Sequence, residues 1–460
     1  MKHADIRQLV SQVEGPVLLP EDEGYDEERT GFNLALRHRP DVIVGASRTE
    51  DVQAAVRFAA ERGLPVAVQA TGHGYSLPAE GGLLITTGRM AGVQVDPERQ
   101  TVTVDAGVRF EQVIPETAPH GLAPLNGSAP HVGVVSYVLG GGVGLLVRTY
   151  GYASDRVRSL DVVTADGNLL HVTPETEPDL YWALIGGRDN FGIVTRLEMG
   201  LVPVATLFGG GLFFDAEAAP DVLQAYVRWT EDLPEEMNSS VALIPFPQDP
   251  DVPEPMRGRH IYHVRIAYTG TPEDGERLVA PLREAAGPVL MEVLREMPYA
   301  ESASIHDDPP VAAPFLREVA LFRDFDEDAA RTVLEHAGPQ APLPVVFELR
   351  HLGGAFAREP EHPNAVGHRD ARYLLSVVTL LFGVTEDDTR PLLTRLFDAL
   401  EPRSTGTSLN FMGHGENAGD KQLRAAYAPA DLKRLAELKA KHDPENRFRL
   451  NYNIPPASGN

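Results

Sequence analysis

Five consecutive residues, Gly140-Gly-Gly-Val-Gly144, include four glycines, and they constrain the fold of this chain more than any other segment. Glycine has no Cβ, so its backbone can adopt positive φ and can approach another group closely. The run therefore indicates a place where main chain lies directly against a ligand or against a tightly packed neighbour. The residues alone leave both alternatives open.

Two common nucleotide-binding motifs can be tested against this run, and both fail. A Rossmann loop requires G-x-G-x-x-G at the start of a helix. Counted from Gly140 the sixth position is Leu145, and counted from Gly142 it is Val147. A P-loop requires Gly-Lys followed by Ser or Thr, which occurs nowhere in the sequence.

The chain has 460 residues, more than the roughly 250–300 residues that one hydrophobic core usually organises. We therefore expect two domains, or one domain with a large insertion. The first residues lack an apolar signal-peptide core, and no apolar run approaches the roughly 18 residues of a membrane-spanning helix. These features predict a cytoplasmic protein.

Acidic residues outnumber basic residues by 66 to 41, which gives a formal net charge of -25. That charge repels nucleic-acid phosphates and anionic lipid surfaces, so we expect neither nucleic acid nor a membrane as a partner. The chain contains no cysteine, which excludes disulfides, thiolate nucleophiles and cysteine-held iron–sulfur clusters. The histidines show no metal-site spacing, and we expect no metal.

The first two hundred residues alternate short strands and helices, a mixed α+β pattern. Residues 41–46 predict a buried strand, a helix then continues to about Arg62, and residues 65–70 predict a second strand. The loop Thr71-Gly-His-Gly-Tyr-Ser76 follows that strand, in the kind of position where such folds bind ligands.

Further elements can be predicted before residue 205, among them a helix and a hairpin. Residues 110–117 predict a helix. Residues 160–172 predict a hairpin, because two apolar runs flank the Asp166-Gly167 pair that tight turns favour.

Beyond about residue 205 the predicted strands become longer and are separated by amphipathic helices, the pattern of an antiparallel sheet backed by helices. The predicted strands are 207–214, 241–247, 261–268, 345–352 and 374–382. A Lys- and Glu-rich helix over 421–441 and the segment that follows it predict a return of the chain to the first domain.

The segment 133–155, GVVSYVLGGGVGLLVRTYGYASD, closely resembles the flavin-domain motif of berberine bridge enzyme-like oxidases. Further segments that resemble this family follow in family order and extend the resemblance over nearly the whole chain. They are Tyr25-Asp26 with Arg29, Arg39-Pro40, and residues 50–56, 70–75, 190–195, 348–355, 368–370 and 443–456.

The resemblance implies a bipartite FAD-binding domain of the PCMH type, also called the vanillyl-alcohol oxidase type, formed by residues 1–205 and 412–460. Residues 206–411 would form an inserted substrate-binding domain of antiparallel sheet backed by helices. The implied function is an FAD-dependent oxidase that takes hydride from a hydroxyl or activated carbon of a small metabolite, such as a sugar, a glycoside or a natural-product intermediate, with O2 as acceptor.

The resemblance also implies which residues contact FAD, and it places a covalent flavin bond at His73. Many relatives have a second bond through a cysteine where this chain has Ala129, so we expect a single bond through His73. The implied FAD contacts are Thr71, Gly72, His73, Gly74, Tyr75, Ser76, Ala129, Val132, Gly133, Gly140, Gly141, Gly142, Gly144, Gly192, Ile193, Val194, Asn451 and Asn453.

Such an oxidase needs a proton acceptor beside the flavin. The resemblance places it on the strand 346–352, where a period of two puts Glu348 and Arg350 on one face and His351 on the other. Glu348 and His351 are therefore candidate bases, although a Glu–Arg pair can equally be a structural ion pair.

Relatives often have a tyrosine base where this chain has Phe411, and a phenyl ring cannot carry a proton. Tyr137 and Tyr373 are the remaining candidates. The missing tyrosine and cysteine leave two alternatives open: a flavoprotein cyclase or isomerase whose FAD is structural or undergoes no net redox change, and a carrier without catalysis. Nothing in the sequence identifies the substrate or the oligomeric state.

Overall fold

The computed structural model describes residues 3–74, 77–413 and 419–458. Its helices within these ranges are α1 (His3–Val10), α2 (Tyr25–Glu28), α3 (Thr49–Arg62), α4 (Phe110–Thr117), α5 (Val134–Leu139), α6 (Val147–Tyr150), α7 (Pro178–Gly187), α8 (Val222–Trp229), α9 (Pro272–Ala286), α10 (Glu327–Ala337), α11 (Glu386–Leu400), α12 (Asp420–Ala426) and α13 (Pro429–His442).

The strands of the described residues form three sheets. They are β1 (Val17–Leu18), β2 (Val42–Gly45), β3 (Val66–Gln69), β4 (Leu83–Thr86), β5 (Val93–Asp96), β6 (Thr101–Asp105), β7 (Val157–Val163), β8 (Leu169–Val172), β9 (Ile193–Gly200), β10 (Thr206–Asp215), β11 (Met237–Pro245), β12 (His260–Tyr268), β13 (Met291–Glu292), β14 (Arg295–Pro298), β15 (Phe315–Phe322), β16 (Val346–His351), β17 (Tyr373–Leu380) and β18 (Ser404–Gly406).

The first sheet has the order β1-β2-β4-β3, and its strands β2, β4 and β3 are parallel. Helix α3 connects β2 to β3, as the sequence predicted, and buries Val52, Val56 and Ala59 against the sheet. It ends at Gly63, whose φ of 64° allows the left-handed turn that reverses the chain into β3.

The second sheet is antiparallel, with the order β5-β6-β9-β7-β8. Helices α5 and α7 pack against it, and together they bury the largest apolar cluster of the molecule. Strands β7 and β8 form the hairpin that the Asp166-Gly167 turn predicted, and Gly167 has the positive φ of 78° that such turns require.

The third and largest sheet is antiparallel throughout, with the order β13-β10-β12-β11-β16-β17-β15-β18 and with β14 also paired to β10. Helices α8, α9, α10 and α11 cover one of its faces. The confirmed fold class is thus α+β with a large antiparallel sheet backed by helices. The domain limits at residues 205 and 411 stay a prediction.

The C-terminal part differs from the single helix expected over 421–441. Helix α12 ends at Ala426 and α13 begins at Pro429, with Tyr427 and Ala428 extended between them. Proline disfavours helical backbone in the residue before it, which explains the break. No helix among the described residues is long and apolar enough to cross a membrane.

A buried lysine holds the end of the chain in place. Lys439 is fully buried, and its Nζ donates to Asp443 Oδ2 at 2.7 Å and to the carbonyls of Asn190 and Phe448 at 2.7 and 3.0 Å. Asp443 also accepts the backbone N–H groups of Arg447 and Phe448. This cluster joins the C-terminal segment to the loop before β9.

We predict that Lys439→Met lowers the free energy of unfolding by about 3–5 kcal/mol, because it leaves the Asp443 carboxylate buried without its cation. Urea unfolding followed by circular dichroism measures the change. Lys433→Met on the same helix is the control: Lys433 is 78% exposed, and its loss should cost less than about 0.5 kcal/mol. Equal losses of unfolding free energy in the two variants would contradict the conclusion that Lys439 holds the C-terminal segment in place.

Candidate active site

The loop Thr71–Gly74 follows β3 and holds His73 in an enclosed position. The His73 ring stacks on Phe32, with ring centroids 3.9 Å apart, and its centroid lies 5.0 Å from that of His131. The backbone N–H groups of Phe32 and Asn33 donate to loop carbonyls at 3.0 and 3.3 Å. These contacts fix the loop against the segment that precedes β2.

His73 is a neutral imidazole with one nitrogen available. Its Nδ1 lies 2.8 Å from Thr71 Oγ1, whereas its buried Nε2 has no hydrogen-bond partner among the described residues. Burial, followed by nearby positive groups that include Arg317, lowers the pKa of His73 to about 3. An unprotonated, unpartnered ring nitrogen can act as a nucleophile or as an acceptor.

A cavity of about 780 Å³, open in part to solvent, extends from this loop. Its walls come from β3, α5, β9 and the C-terminal segment. It brings together several residues that the sequence analysis assigned to FAD: Gly74, Gly192, Ile193, Val194 and Asn451.

The residues present fit a group such as FAD. The side-chain oxygens of Asn451 and Asn453 are buried without hydrogen-bond partners among the described residues, as is His73 Nε2. Buried polar atoms are rarely left unsatisfied, so these atoms indicate a bound group that carries polar atoms. Apolar side chains such as Val68 and Leu139 supply walls for a planar ring system.

The remaining predicted FAD contacts lie around the loop and at the start of α5. A Cβ at Gly133 would lie 3.5 Å from side-chain atoms of Ala70 and Thr71, so Gly133 adjoins the loop. Ala129 accepts a hydrogen bond from the N–H of Val132 in the turn just before it. Tyr75 and Ser76 lie outside the described residues.

The glycine run packs against protein side chains. A Cβ at Gly140 would lie 2.6 Å from Asn410, and one at Gly142 would lie 2.6 Å from the Tyr137 ring. Gly141 and Gly142 have positive φ values of 106° and 79°. A Cβ at Gly144 would lie 2.6 Å from a backbone carbonyl. Packing therefore explains these glycines, and their contact with FAD stays a prediction.

The large sheet turns its second face, the one without helices, toward these segments. Residues on this face alternate with those buried under α8–α11. The polar and charged side chains that the register places on it are Ser240, His263, Arg265, Arg317, Glu348, Arg350 and Ser376.

Glu348 is the centre of a hydrogen-bonded network on this face. Its Oε1 accepts from Ser240 Oγ at 2.8 Å and from Arg265 Nη1 at 2.9 Å, and lies 3.2 Å from His306 Nε2. Its Oε2 accepts from Arg350 Nε at 2.9 Å. The Glu348–Arg350 pair is therefore part of a larger network, and both carboxylate oxygens have donors.

This network makes Glu348 a weak proton acceptor. Burial alone would raise the pKa of Glu348, but Arg350 and Arg265 outweigh it and hold that pKa well below its usual range. Burial and the nearby Arg265 lower the pKa of His306, so this imidazole is neutral at neutral pH. Its Nε2 then donates to Glu348, and its buried Nδ1 has no partner among the described residues.

His351 and Tyr373 lie on the opposite face of the sheet from Glu348. His351 Nε2 is 3.0 Å from Arg148 Nη1, and the Tyr373 hydroxyl is 2.8 Å from Thr230 Oγ1. Tyr373 belongs to the apolar core under the helices. Because side chains alternate along a strand, the structure does not bring these two candidates to the face that holds Glu348.

Tyr137 and Phe411 lie between the sheet face and the glycine run. Burial raises the pKa of the Tyr137 phenol, which therefore keeps its proton, and its buried oxygen has no partner among the described residues. Two cations lie near the Phe411 ring: the guanidinium carbons of Arg317 and Arg350 are 5.5 and 5.2 Å from its centroid.

The sequence analysis missed Arg265, His306, Asp308 and Arg317. One of these residues could have been predicted: His263 and Arg265 occupy alternate positions of the predicted strand 261–268, which is otherwise largely apolar, so they share one face of the sheet. Arg317 lies on β15, which was not predicted as a strand, and His306 and Asp308 lie in a loop without a motif. Among the described residues, no group of three His, Asp or Glu side chains could hold a metal ion.

Comparisons with known proteins agree with this geometry. The family model for an FAD binding domain matches residues 40–173, and the model described as berberine and berberine like matches residues 417–455. The chain is 26% identical to (R)-6-hydroxynicotine oxidase of Paenarthrobacter nicotinovorans, over 96% of this chain and 97% of that protein. It is 25% identical to glucooligosaccharide oxidase of Sarocladium strictum, over 95% of this chain and 91% of that protein.

A solved structure of 6-hydroxy-D-nicotine oxidase from Arthrobacter nicotinovorans matches with a TM-score of 0.82 and 25% identity. The match covers 97% of this chain and 98% of the other. The three-sheet architecture is therefore shared over essentially the full length of both chains.

We predict that Glu348→Gln lowers the free energy of unfolding at pH 7, because it removes the anion that the network surrounds. The folded-state pKa of Glu348 is depressed, so the stabilisation is present above the unfolded-state pKa of about 4.3 and disappears as pH falls through the folded value. The difference between wild type and variant in urea should shrink progressively below about pH 4.3. A difference that is constant with pH would exclude a charge effect.

Proposed function

We propose that this chain is an FAD-linked oxidase of the berberine bridge enzyme-like family and that it oxidises a small metabolite at a hydroxyl-bearing or amine-activated carbon, with O2 as acceptor. The oxidases among its relatives favour this function over a cyclase, an isomerase or a carrier. The names of these relatives refer to hydroxynicotine and to oligosaccharides, and such compounds are the first substrates to test here.

One observation carries the proposal: the loop with His73 is joined to the charged face of the large sheet. The Asn33 side chain donates to the Phe315 carbonyl at 3.1 Å, and the Ala313 N–H donates to the Phe32 carbonyl at 3.2 Å. Phe32 is the residue that stacks on His73. A substrate on the sheet face would therefore lie close to a group held at the loop.

FAD, when bound, supplies the hydride acceptor that passes its electrons on to O2. We propose that His73 holds it by a single covalent bond, because Nε2 is unpartnered among the described residues and the chain has no cysteine for a second one. Gly192–Val194, Asn451 and Asn453 would contact it along the cavity.

We propose His306 as the proton acceptor, with Glu348 as its positioning residue. The Glu348 carboxylate accepts from Nε2, which leaves Nδ1 with its lone pair free. A carboxylate that orients a neutral imidazole in this way is a common arrangement for general-base catalysis. Tyr137 keeps its proton, so it can take part in hydrogen bonds but does not act as the base.

We predict that purified protein contains FAD and that the yellow colour stays with the pellet after acid precipitation. In His73→Ala the flavin should move to the supernatant, while His171→Ala, an exposed histidine, should behave as wild type. Release of all flavin from denatured wild type would contradict the covalent bond. A colourless protein that does not take up added FAD would contradict the proposed function itself.

We predict that His306→Gln slows flavin reduction by substrate about 10²–10⁴-fold, the usual effect of losing a general base, while FAD stays bound. Glu348→Gln should slow it less, since the imidazole remains. Anaerobic stopped-flow absorbance measures both, with His171→Gln as the control. Because the pKa of His306 is lowered, the wild-type rate should fall only below about pH 6.5. A rate for His306→Gln within about twofold of wild type would remove this residue from the mechanism.

A further inference from the structure

Arg317 is a cation without a counterion on the proposed substrate face. Among the described residues it forms no ion pair within 4.0 Å, and its buried Nε has no hydrogen-bond partner. The aromatic rings of Phe315 and Phe411 lie 5.2 and 5.5 Å from its guanidinium carbon. Aromatic faces attract a cation, but they offer no acceptor for its N–H groups.

The charges around Arg317 make this arrangement unfavourable without a further anion. Burial and the like charge of Arg350 lower the pKa of Arg317, which shows that its cationic form is disfavoured as the site stands. The two carboxylates that favour the charged form of Arg317, Asp308 and Glu348, already have other partners. Glu348 binds Arg265 and Arg350, and the pKa of Asp308 is lowered, against the effect of burial, by His306 and Arg265.

This face therefore carries an excess of positive charge. Among the described residues of this face, three guanidinium groups, Arg265, Arg317 and Arg350, act on two carboxylates, Asp308 and Glu348, and His306 is neutral. The register places the next residue, Glu318, on the other face of the strand, and its carboxylate lies beside Gly413. The excess is notable in a chain whose formal net charge is -25.

We propose that Arg317 binds an anionic group of the organic substrate, so that this enzyme oxidises a carboxylate-bearing metabolite. The inference rests on the proposed function and narrows its substrate class. A carboxylate hydrogen-bonded to Arg317 would satisfy its Nε and offset the positive charge of the face. Arg317 also acts on the flavin-loop histidine, because its charge contributes to lowering the pKa of His73.

The test uses the FAD-loaded protein and small carboxylates that are not oxidised. Acetate, propionate and benzoate are each titrated beside the corresponding amide, and binding is followed by the change in flavin absorbance. Wild type is compared with Arg317→Met and Arg317→Lys. Arg323→Met is the matched control, since Arg323 lies just beyond the same strand, is 65% exposed and pairs with Asp370.

We expect at least one acid to bind wild type about tenfold or more tightly than its amide, the usual effect of a charge-assisted hydrogen bond. Arg317→Met should reduce this preference to within about twofold, Arg317→Lys should keep part of it, and Arg323→Met should not change it. Equal binding of acid and amide by wild type overturns the proposal, as does a preference that survives in Arg317→Met. Thermal unfolding and FAD content verify that the variants fold.

A second arm separates the substrate from the flavin as the source of the anionic group. Sulfite forms an anionic adduct with oxidised flavins, so its affinity reports how well the protein stabilises negative charge on the ring. If Arg317→Met weakens sulfite binding but leaves the acid preference unchanged, the arginine serves the flavin and the substrate proposal is wrong. Protein that binds FAD and is reoxidised by O2 yet prefers no acid would contradict this inference alone, not the proposed function.

Discussion

The pairing of one buried carboxylate is the constraint on which the site depends. Glu348 lies out of water on the open face of the large sheet, where an unpaired charge would be very costly. It is tolerated because donors converge on it from β11, β12, the loop that contains His306, and its own strand β16. The strand order therefore determines the chemistry of the face. A one-residue slip of β16 against β11 would move the carboxylate into the apolar core under the helices.

Two further sets of contacts bring the rest of the chain to this face. Hydrogen bonds from Asn33 and Ala313 tie the start of β15 to the segment that supports His73. At the other end of the sequence, Lys439 and Asp443 hold the C-terminal segment so that Asn451 lines the cavity. Distant parts of the chain thus meet around the site. Each junction is made by buried polar groups, whose geometry is specific because an unmade hydrogen bond in the interior is expensive.

Burial assigns different roles to side chains of similar chemistry. The imidazoles of His73 and His306 are both kept neutral, and each uses one nitrogen to position the ring and leaves the other without a partner among the described residues. Glu348, in contrast, is kept charged by its arginines and is a poor acceptor of protons. Arg317 differs from these groups, because its environment supplies rings where the other arginines of the face have carboxylates. The same physical rule, that buried charge requires a partner, accounts for the network and marks the place where a partner is missing.

The sequence by itself determined most of the local structure and the family. Helix α4 lies over the residues that the pattern indicated, the α3 and β7–β8 predictions are confirmed, and the alternation along β16 was enough to separate Glu348 from His351. The Lys- and Glu-rich pattern predicted one continuous helix over 421–441, but the chain breaks it before Pro429, because proline disfavours helical backbone in the preceding residue.

Only the tertiary structure decided what Glu348 does. Its partners Ser240, Arg265 and His306 are 108, 83 and 42 residues away, and strand order and register, which bring them together, are not readable from periodicity. The sequence also left open whether the glycine run contacts a ligand or a packed neighbour, because the neighbour comes from a distant part of the chain. The sequence required close approach of its backbone, but only the fold showed that Tyr137 and Asn410 are what approaches it.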